Sequence, residues 1–124
     1  MYANGNAGQE ISSGGWVKAT LLINADGTIQ SCFNSTLTAS TASTVPCGFA
    51  VDVHLGTFDV YLGFPTEGRV FTGTLALDRW GPANTLGEIA VSPVGGPGTK
   101  TVRILMSNTY LESPFNAPFY LVAF

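Results

Sequence analysis

Apolar residues recur at every second position through most of this chain of 124 residues. In the segment WVKATLLIN, for example, Ala19, Leu21 and Ile23 alternate with Lys18 and Thr20. A period of two is the pattern of a β-strand with one buried face, and no segment of about ten residues or more carries the 3.6-residue period of an amphipathic helix. The sequence therefore predicts an all-β protein.

Turn residues divide the alternating segments into about eight strands. An Asp-Gly pair in ADGT is a strong hairpin signal after the first strand, and TIQSCFN follows as the second. Further strands are predicted in GFAVDV, TFDVYLGF, RVFTGTLAL, EIAVSP, KTVRILMS and the closing FYLVAF. This spacing fits an antiparallel two-sheet β-sandwich of Greek-key or jelly-roll type. Residues 1–15, rich in Gly, Asn and Ser, are predicted to form a flexible linker, and residues 16–124 a single domain.

The closing strand is apolar on both of its faces. We expect one face to lie on the domain core and the other, with Tyr120, Val122 and Phe124, to contact another subunit. Leu105 lies opposite the predicted core side of its own strand and joins this candidate interface. Charged residues make up only 10% of the chain, against about 25% in an average domain, which also favours a surface covered by partners. The sequence therefore predicts a homo-oligomer.

The charge and hydropathy patterns argue against two classes of partner. The formal net charge is −3 and the five basic residues are scattered, so the chain has no electrostatic footprint for nucleic acid. No stretch reaches the roughly 18 consecutive apolar residues of a membrane span. We therefore expect neither DNA or RNA binding nor a membrane span.

Cys32 and Cys47 flank a Ser/Thr-rich segment, FNSTLTASTASTVP. A disulfide between them would close a loop of about fifteen residues and stabilise the fold by about 3 kcal/mol in the chain-entropy model. It would also place the protein outside the reducing cytosol, in an extracellular, cell-surface or virion setting. The alternative is two separately buried thiols.

The residues that carry most enzyme chemistry are scarce in this chain. His54, its single histidine, lies in the tight connection VHLGT, where an exposed turn side chain is expected. No serine lies in a Gly-x-Ser-x-Gly elbow, and two cysteines with one histidine fall short of the four ligands of a structural zinc. We therefore predict that the protein is not an enzyme and has no cofactor.

One pair of carboxylates follows from the predicted strand register. If Val53 and Phe58 both face the core across their hairpin, Asp52 must lie directly opposite Asp59. The two side chains could splay into solvent, share an Arg or Lys from an adjacent strand, bind a cation such as calcium, or form a catalytic dyad. Asp52 and Asp59 are thus weak candidates for a metal site.

Aromatic residues in two predicted loops are the candidate ligand-binding positions. Trp80 follows Asp78 and Arg79 in LDRWGPAN, and Tyr110 lies in NTYLESP. Exposed aromatic faces beside polar groups suit a glycan or a protein partner, and loops at the end of a sandwich are common recognition sites. The alternative for Trp80 is packing over one end of the core.

At the level of pattern, the chain resembles the small β-sandwich heads of phage tail fibres, C1q-like modules and bacterial surface fibres. The resemblance lies in INADGTI, GTFDVYLGF and APFYLVAF, which contain Asn24–Thr28, Gly56–Phe64 and Pro118–Phe124. It implies a homotrimeric, non-catalytic head that binds a glycan or a surface protein through its loops. The alternatives are a purely structural subunit of a capsid, decoration or fibre, and a small hydrolase that uses Asp52 and Asp59.

Overall fold

A computed structural model describes residues 17–76, 87–108 and 113–124, and every regular element in these ranges is a β-strand. The all-β prediction is therefore confirmed. Numbered in chain order, the strands are β1 (Ala19–Ile23), β2 (Ile29–Asn34), β3 (Ala50–His54), β4 (Thr57–Tyr61), β5 (Phe71–Leu75), β6 (Gly87–Pro93), β7 (Thr101–Asn108), β8 (Ser113–Pro114) and β9 (Phe119–Ala123).

The strands form the two antiparallel sheets of a β-sandwich, as the spacing of the strands predicts. The front sheet has the order β2-β1-β9-β5, and the back sheet has the order β3-β4-β7-β6. Hairpins within a sheet join β1 to β2, β3 to β4 and β6 to β7. The chain changes sheet between β2 and β3, β4 and β5, β5 and β6, and β8 and β9. The pairs β1 with β9 and β4 with β7 join strands far apart in sequence, as in Greek-key and jelly-roll folds.

The strand β8 was predicted as part of a loop. It has only two residues, too few to show a period of two, and it pairs with Ser107 and Asn108 of β7. The pairing of β4 with β7 ends at Leu105, so β8 continues the back sheet beyond the end of β4.

The core lies between the sheets and is built from the inward side of each strand. Phe58 of the back sheet meets Phe119 of the front sheet edge to face, with ring centroids 4.9 Å apart. Rings in this arrangement stabilise a core beyond their area burial. The largest fully buried side chains are Phe58, Phe119, Leu21, Ile23, Leu62, Ile104, Leu121, Val60, Val102 and Cys47.

The closing strand, β9, is central in the front sheet. It pairs with β1 on one side and with β5 on the other. Phe119, Leu121 and Ala123 point into the core and are fully buried or nearly so. Its other side, with Tyr120 and Val122, points away from the core.

The predicted disulfide joins Cys32 of β2 to Cys47 in the loop before β3. Asn34 anchors the same loop from within: its side chain is buried, its Nδ2 donates to the Cys47 carbonyl at 2.9 Å, and its Oδ1 accepts from the Thr36 amide at 3.0 Å. A buried amide with partners for both of its ends is a stabilising contact. The Ser/Thr-rich loop is therefore tied to the sandwich by one covalent bond and one polar side chain.

Candidate functional site

The outward side of the front sheet brings together most of the predicted interface residues. Tyr120 lies between Leu22 and Thr74 on the neighbouring strands, and Val122 lies between Thr20 and Thr72. We name this surface the front face. By strand alternation its members are Lys18, Thr20, Leu22, Ser31, Phe33, Val70, Thr72, Thr74, Tyr120, Val122 and Phe124.

The front face is apolar and nearly uncharged. Tyr120 is 49% exposed and Phe124 42% exposed, and Phe124 lies beside the exposed Val70 through the hydrogen bond from its amide to the Val70 carbonyl. Lys18 is the one charged member of this face, and its other members are apolar or carry hydroxyl groups. Large apolar side chains grouped on an open sheet surface are typical of a protein contact.

Leu105, the fourth predicted interface residue, lies on the opposite side of the sandwich. It points outward from β7 between Thr57 of β4 and Ala90 of β6, and it is 46% exposed. We name the outward side of the back sheet the back face. Its members are Ala50, Asp52, His54, Thr57, Asp59, Tyr61, Glu88, Ala90, Ser92, Thr101, Arg103, Leu105 and Ser107.

An open depression of about 640 Å³ lies beside Leu105 on the back face. Leu55, Ala90 and Glu88 also line it, and Leu55, in the turn between β3 and β4, is 71% exposed. Asn116 holds that turn in place, because its Nδ2 donates to the His54 carbonyl and its Oδ1 accepts from the Gly56 amide. The depression is thus a fixed feature with a mainly apolar lining.

The predicted pair of carboxylates is present, and an arginine joins it. Asp52 lies opposite Asp59, and Asp59 lies opposite Arg103 on the other side. Arg103 donates from Nε to Asp59 Oδ1 at 2.8 Å and from Nη2 to Oδ2 at 3.1 Å. Asp52 Oδ2 lies 3.4 Å from His54 Nε2. Of the alternatives open for Asp59, the structure has the arginine bridge.

The hydrogen bonds between Arg103 and Asp59 shift the pKa values of these two residues. The bond from Arg103 lowers the pKa of Asp59, although partial burial of the carboxyl opposes the shift. The same bond raises the pKa of Arg103. Asp59 is therefore a carboxylate with both oxygens hydrogen-bonded to Arg103. Such a group suits a structural ion pair better than a general base.

The described ranges contain little that could support metal or acid-base chemistry. Within them, no three His, Cys, Asp or Glu side chains are grouped so that they could hold a metal ion. Asp52 and His54 are largely exposed on the open surface of the back sheet. The arrangement there can form ion pairs and contact a partner.

The predicted ligand-binding residues Asp78, Arg79, Trp80 and Tyr110 lie outside the described residues. The same holds for the predicted linker of residues 1–15. Both interpretations stay predictions from the sequence.

Several contributors to the two faces were not identified from the sequence. Alternation along β7 points Arg103 outward, but the pairing of β4 with β7 was needed to place it on Asp59. Val70 joins the front face because β5 pairs with β9, a contact that the pattern of either strand alone does not reveal. Leu55 is an exposed apolar turn residue, which is the signal that could have identified it.

No protein-family model, curated protein or solved structure matches this chain. Among the residues that the structure describes, none belong to a helix that could cross a membrane. The case for a function therefore depends on the two faces and on the sequence.

Proposed function

We propose that this protein is a non-catalytic β-sandwich module that binds copies of itself in an extracellular, cell-surface or virion-associated assembly. The observation that carries the proposal is the front face, where aromatic and aliphatic side chains are grouped among hydroxyl residues on the outward side of one sheet. The Cys32–Cys47 disulfide supports the location, because such bonds persist in oxidising surroundings.

A second copy is the partner that this surface favours. Because Lys18 is the one charged side chain of the front face, a contact through this face would bury few charges from the copy that presents it. Burial of apolar area contributes about 25 cal/mol per Å², and the exposed rings of Tyr120 and Phe124 supply much of the area. Aromatic side chains are also common anchors of protein contacts.

The substitution Val122→Asp tests the proposal. Val122 is half-buried at the centre of the front face, so a carboxylate there would lose its hydration in any contact through this surface. We expect wild-type protein to sediment faster than a 13.0 kDa monomer and the variant to sediment as a folded monomer.

Ser43→Asp is the matched control, because it adds the same charge in the exposed loop before β3. It should leave the sedimentation coefficient unchanged, and circular dichroism checks that both variants are folded. A folded Val122→Asp variant that sediments like the wild type would refute the role of the front face.

We further propose that the predicted loop residues Asp78, Arg79, Trp80 and Tyr110 recognise a glycan or a surface protein. The support is their composition, an indole beside a carboxylate and a guanidinium in a Gly/Pro segment. A glycan array with wild-type protein and Trp80→Ala tests the glycan case. A signal that the variant loses favours recognition, and a blank array with growth into large particles favours a structural assembly subunit.

A further inference from the structure

We propose that copies of this chain stack front to back, so that the front face of one copy docks on the back face of the next. This inference builds on the proposed self-association and names the surfaces that meet. In this stack each interface joins two different surfaces, the front face of one copy and the back face of the next.

The first support is the position of the apolar patches. Tyr120, Val122 and Phe124 lie on the front face, whereas Leu105 and Leu55 lie at the back face. A two-fold dimer through either face would leave the other patch in water. Front-to-back contact covers both patches on every internal copy with one repeated interface.

The second support is charge. Among the side chains of the front face Lys18 alone is charged, for a side-chain charge of +1. The back face carries three carboxylates, Asp52, Asp59 and Glu88, against one guanidinium, Arg103, so −3 + 1 = −2 with His54 neutral. Front-to-front contact would bring two lysines into one interface, and back-to-back contact would bring six carboxylates and two guanidinium groups together. Front-to-back contact pairs opposite signs.

The third support is shape. The front face presents the large, 49% exposed side chain of Tyr120, and the back face has the 640 Å³ depression lined by Leu55 and Leu105. Docking of an exposed ring into a depression on another part of the same molecule would be a heterologous contact. Such a contact repeats from copy to copy.

The geometry of a sandwich favours an open stack over the trimer that the resemblance implies. The outer faces of two packed sheets point in nearly opposite directions. Each added copy therefore extends a linear stack, and the assembly does not close into a ring. Four strands spaced about 4.8 Å apart give a face of roughly 400 Å². That is about half of the roughly 800 Å² per partner of a standard interface, so we expect weak steps and gradual growth.

Two variants that each block one face test the stack. Tyr120→Asp puts a negative charge on the front face, opposite the acidic back face of the next copy. Leu105→Lys puts a positive charge on the back face, opposite Lys18. Both positions are exposed, which favours retention of the fold, and circular dichroism verifies it. The readout is mass by light scattering, for each variant alone and for an equimolar mixture.

We expect each variant alone to be a monomer and the equimolar mixture to associate. The intact back face of Tyr120→Asp would dock on the intact front face of Leu105→Lys, and the two substituted faces carry opposite new charges, so that they can extend the mixed stack further. If Leu105→Lys alone stays associated like the wild type, copies meet front to front. That outcome overturns the stack but keeps the proposed self-association.

A cross-link gives a second readout that does not depend on a blocked face. Both native cysteines are in the disulfide, so Tyr120→Cys and Leu105→Cys each introduce one free thiol. The stack predicts that a short bis-maleimide joins the two variants to each other in a mixture. Cross-links between two Tyr120→Cys copies alone would overturn it, and a wild-type protein that is monomeric at every concentration would overturn both proposals.

Discussion

Asp59 accepts two hydrogen bonds from Arg103, and these bonds lead to a prediction about how stability depends on pH. The hydrogen bond from Arg103 lowers its pKa, so the folded state releases the Asp59 proton more readily than the unfolded state. The contribution of the pair is therefore present above the unfolded value near 3.8 and is lost as the pH falls through the lower folded value.

Replacement of Asp59 by Asn should therefore reduce the free energy of unfolding at neutral pH, by up to about 1 kcal/mol for a partly exposed pair. The difference between the variant and wild type should be smaller at an acidic pH well below 3.8 than at neutral pH, because Asp59 takes up a proton as the pH falls through its lowered pKa. Urea unfolding at the two pH values measures it.

Asp52→Asn is the matched control for this prediction. Asp52 lies opposite Asp59 and carries the same charge, and among the contacts of the described residues it has no hydrogen bond to Arg103. Loss of its charge should therefore leave the free energy of unfolding unchanged or slightly raised at neutral pH. If Asp59→Asn and Asp52→Asn reduce the free energy of unfolding by the same amount, the ion pair with Arg103 is not the cause of the loss.

At the scale of strands, the contact between β5 and β6 depends on a missing side chain. A Cβ atom on Gly73 would lie 2.9 Å from Val91 Cγ2 and 3.1 Å from Ile89 Cδ1. Val91 is branched at Cβ and cannot turn away freely. The glycine therefore lets the edge strand of one sheet pack closely on the edge strand of the other.

We expect Gly73→Ala to destabilise the fold by about 1–3 kcal/mol, the usual range for an overpacked contact. Gly96→Ala is the matched control, because no atom lies within 4 Å of its added Cβ and it should be neutral. Chemical denaturation measures both. Equal stability of the two variants would mean that β5 and β6 are not packed as described.

The strands also mark how far sequence reasoning extends. Alternation correctly predicted that Ala19, Leu21 and Ile23 share a buried face, and hairpin register correctly placed Asp52 opposite Asp59. These features are local, because they depend on neighbouring residues or on one turn. They require no knowledge of the sheet order.

What the sequence could not give was the order of the strands. Arg103 and Asp59 are 44 residues apart, and Val70 and Phe124 are still farther apart in the sequence. No pattern within a strand specifies its neighbour in the sheet, because many neighbours satisfy the same alternation. For that reason Leu105 was grouped with Tyr120, although the two side chains lie on opposite faces of the sandwich.

At the scale of the whole molecule, the sandwich has two outer faces of different character. The front face is apolar with one lysine, and the back face combines a row of charges with an apolar depression. A disulfide and the buried amide of Asn34 hold the loop between β2 and β3, which joins the two sheets. In the proposed stack, this asymmetry would make association with further copies directional.

The central claim is that wild-type protein associates with itself, and its mass in solution tests that claim most directly. Light scattering after size exclusion, over a range of concentrations, should give a mass above the 13.0 kDa of one chain that rises with concentration. The mass should fall on addition of salt, because screening weakens the attraction between the acidic back face and Lys18. A constant mass of 13.0 kDa across the whole range would contradict the account.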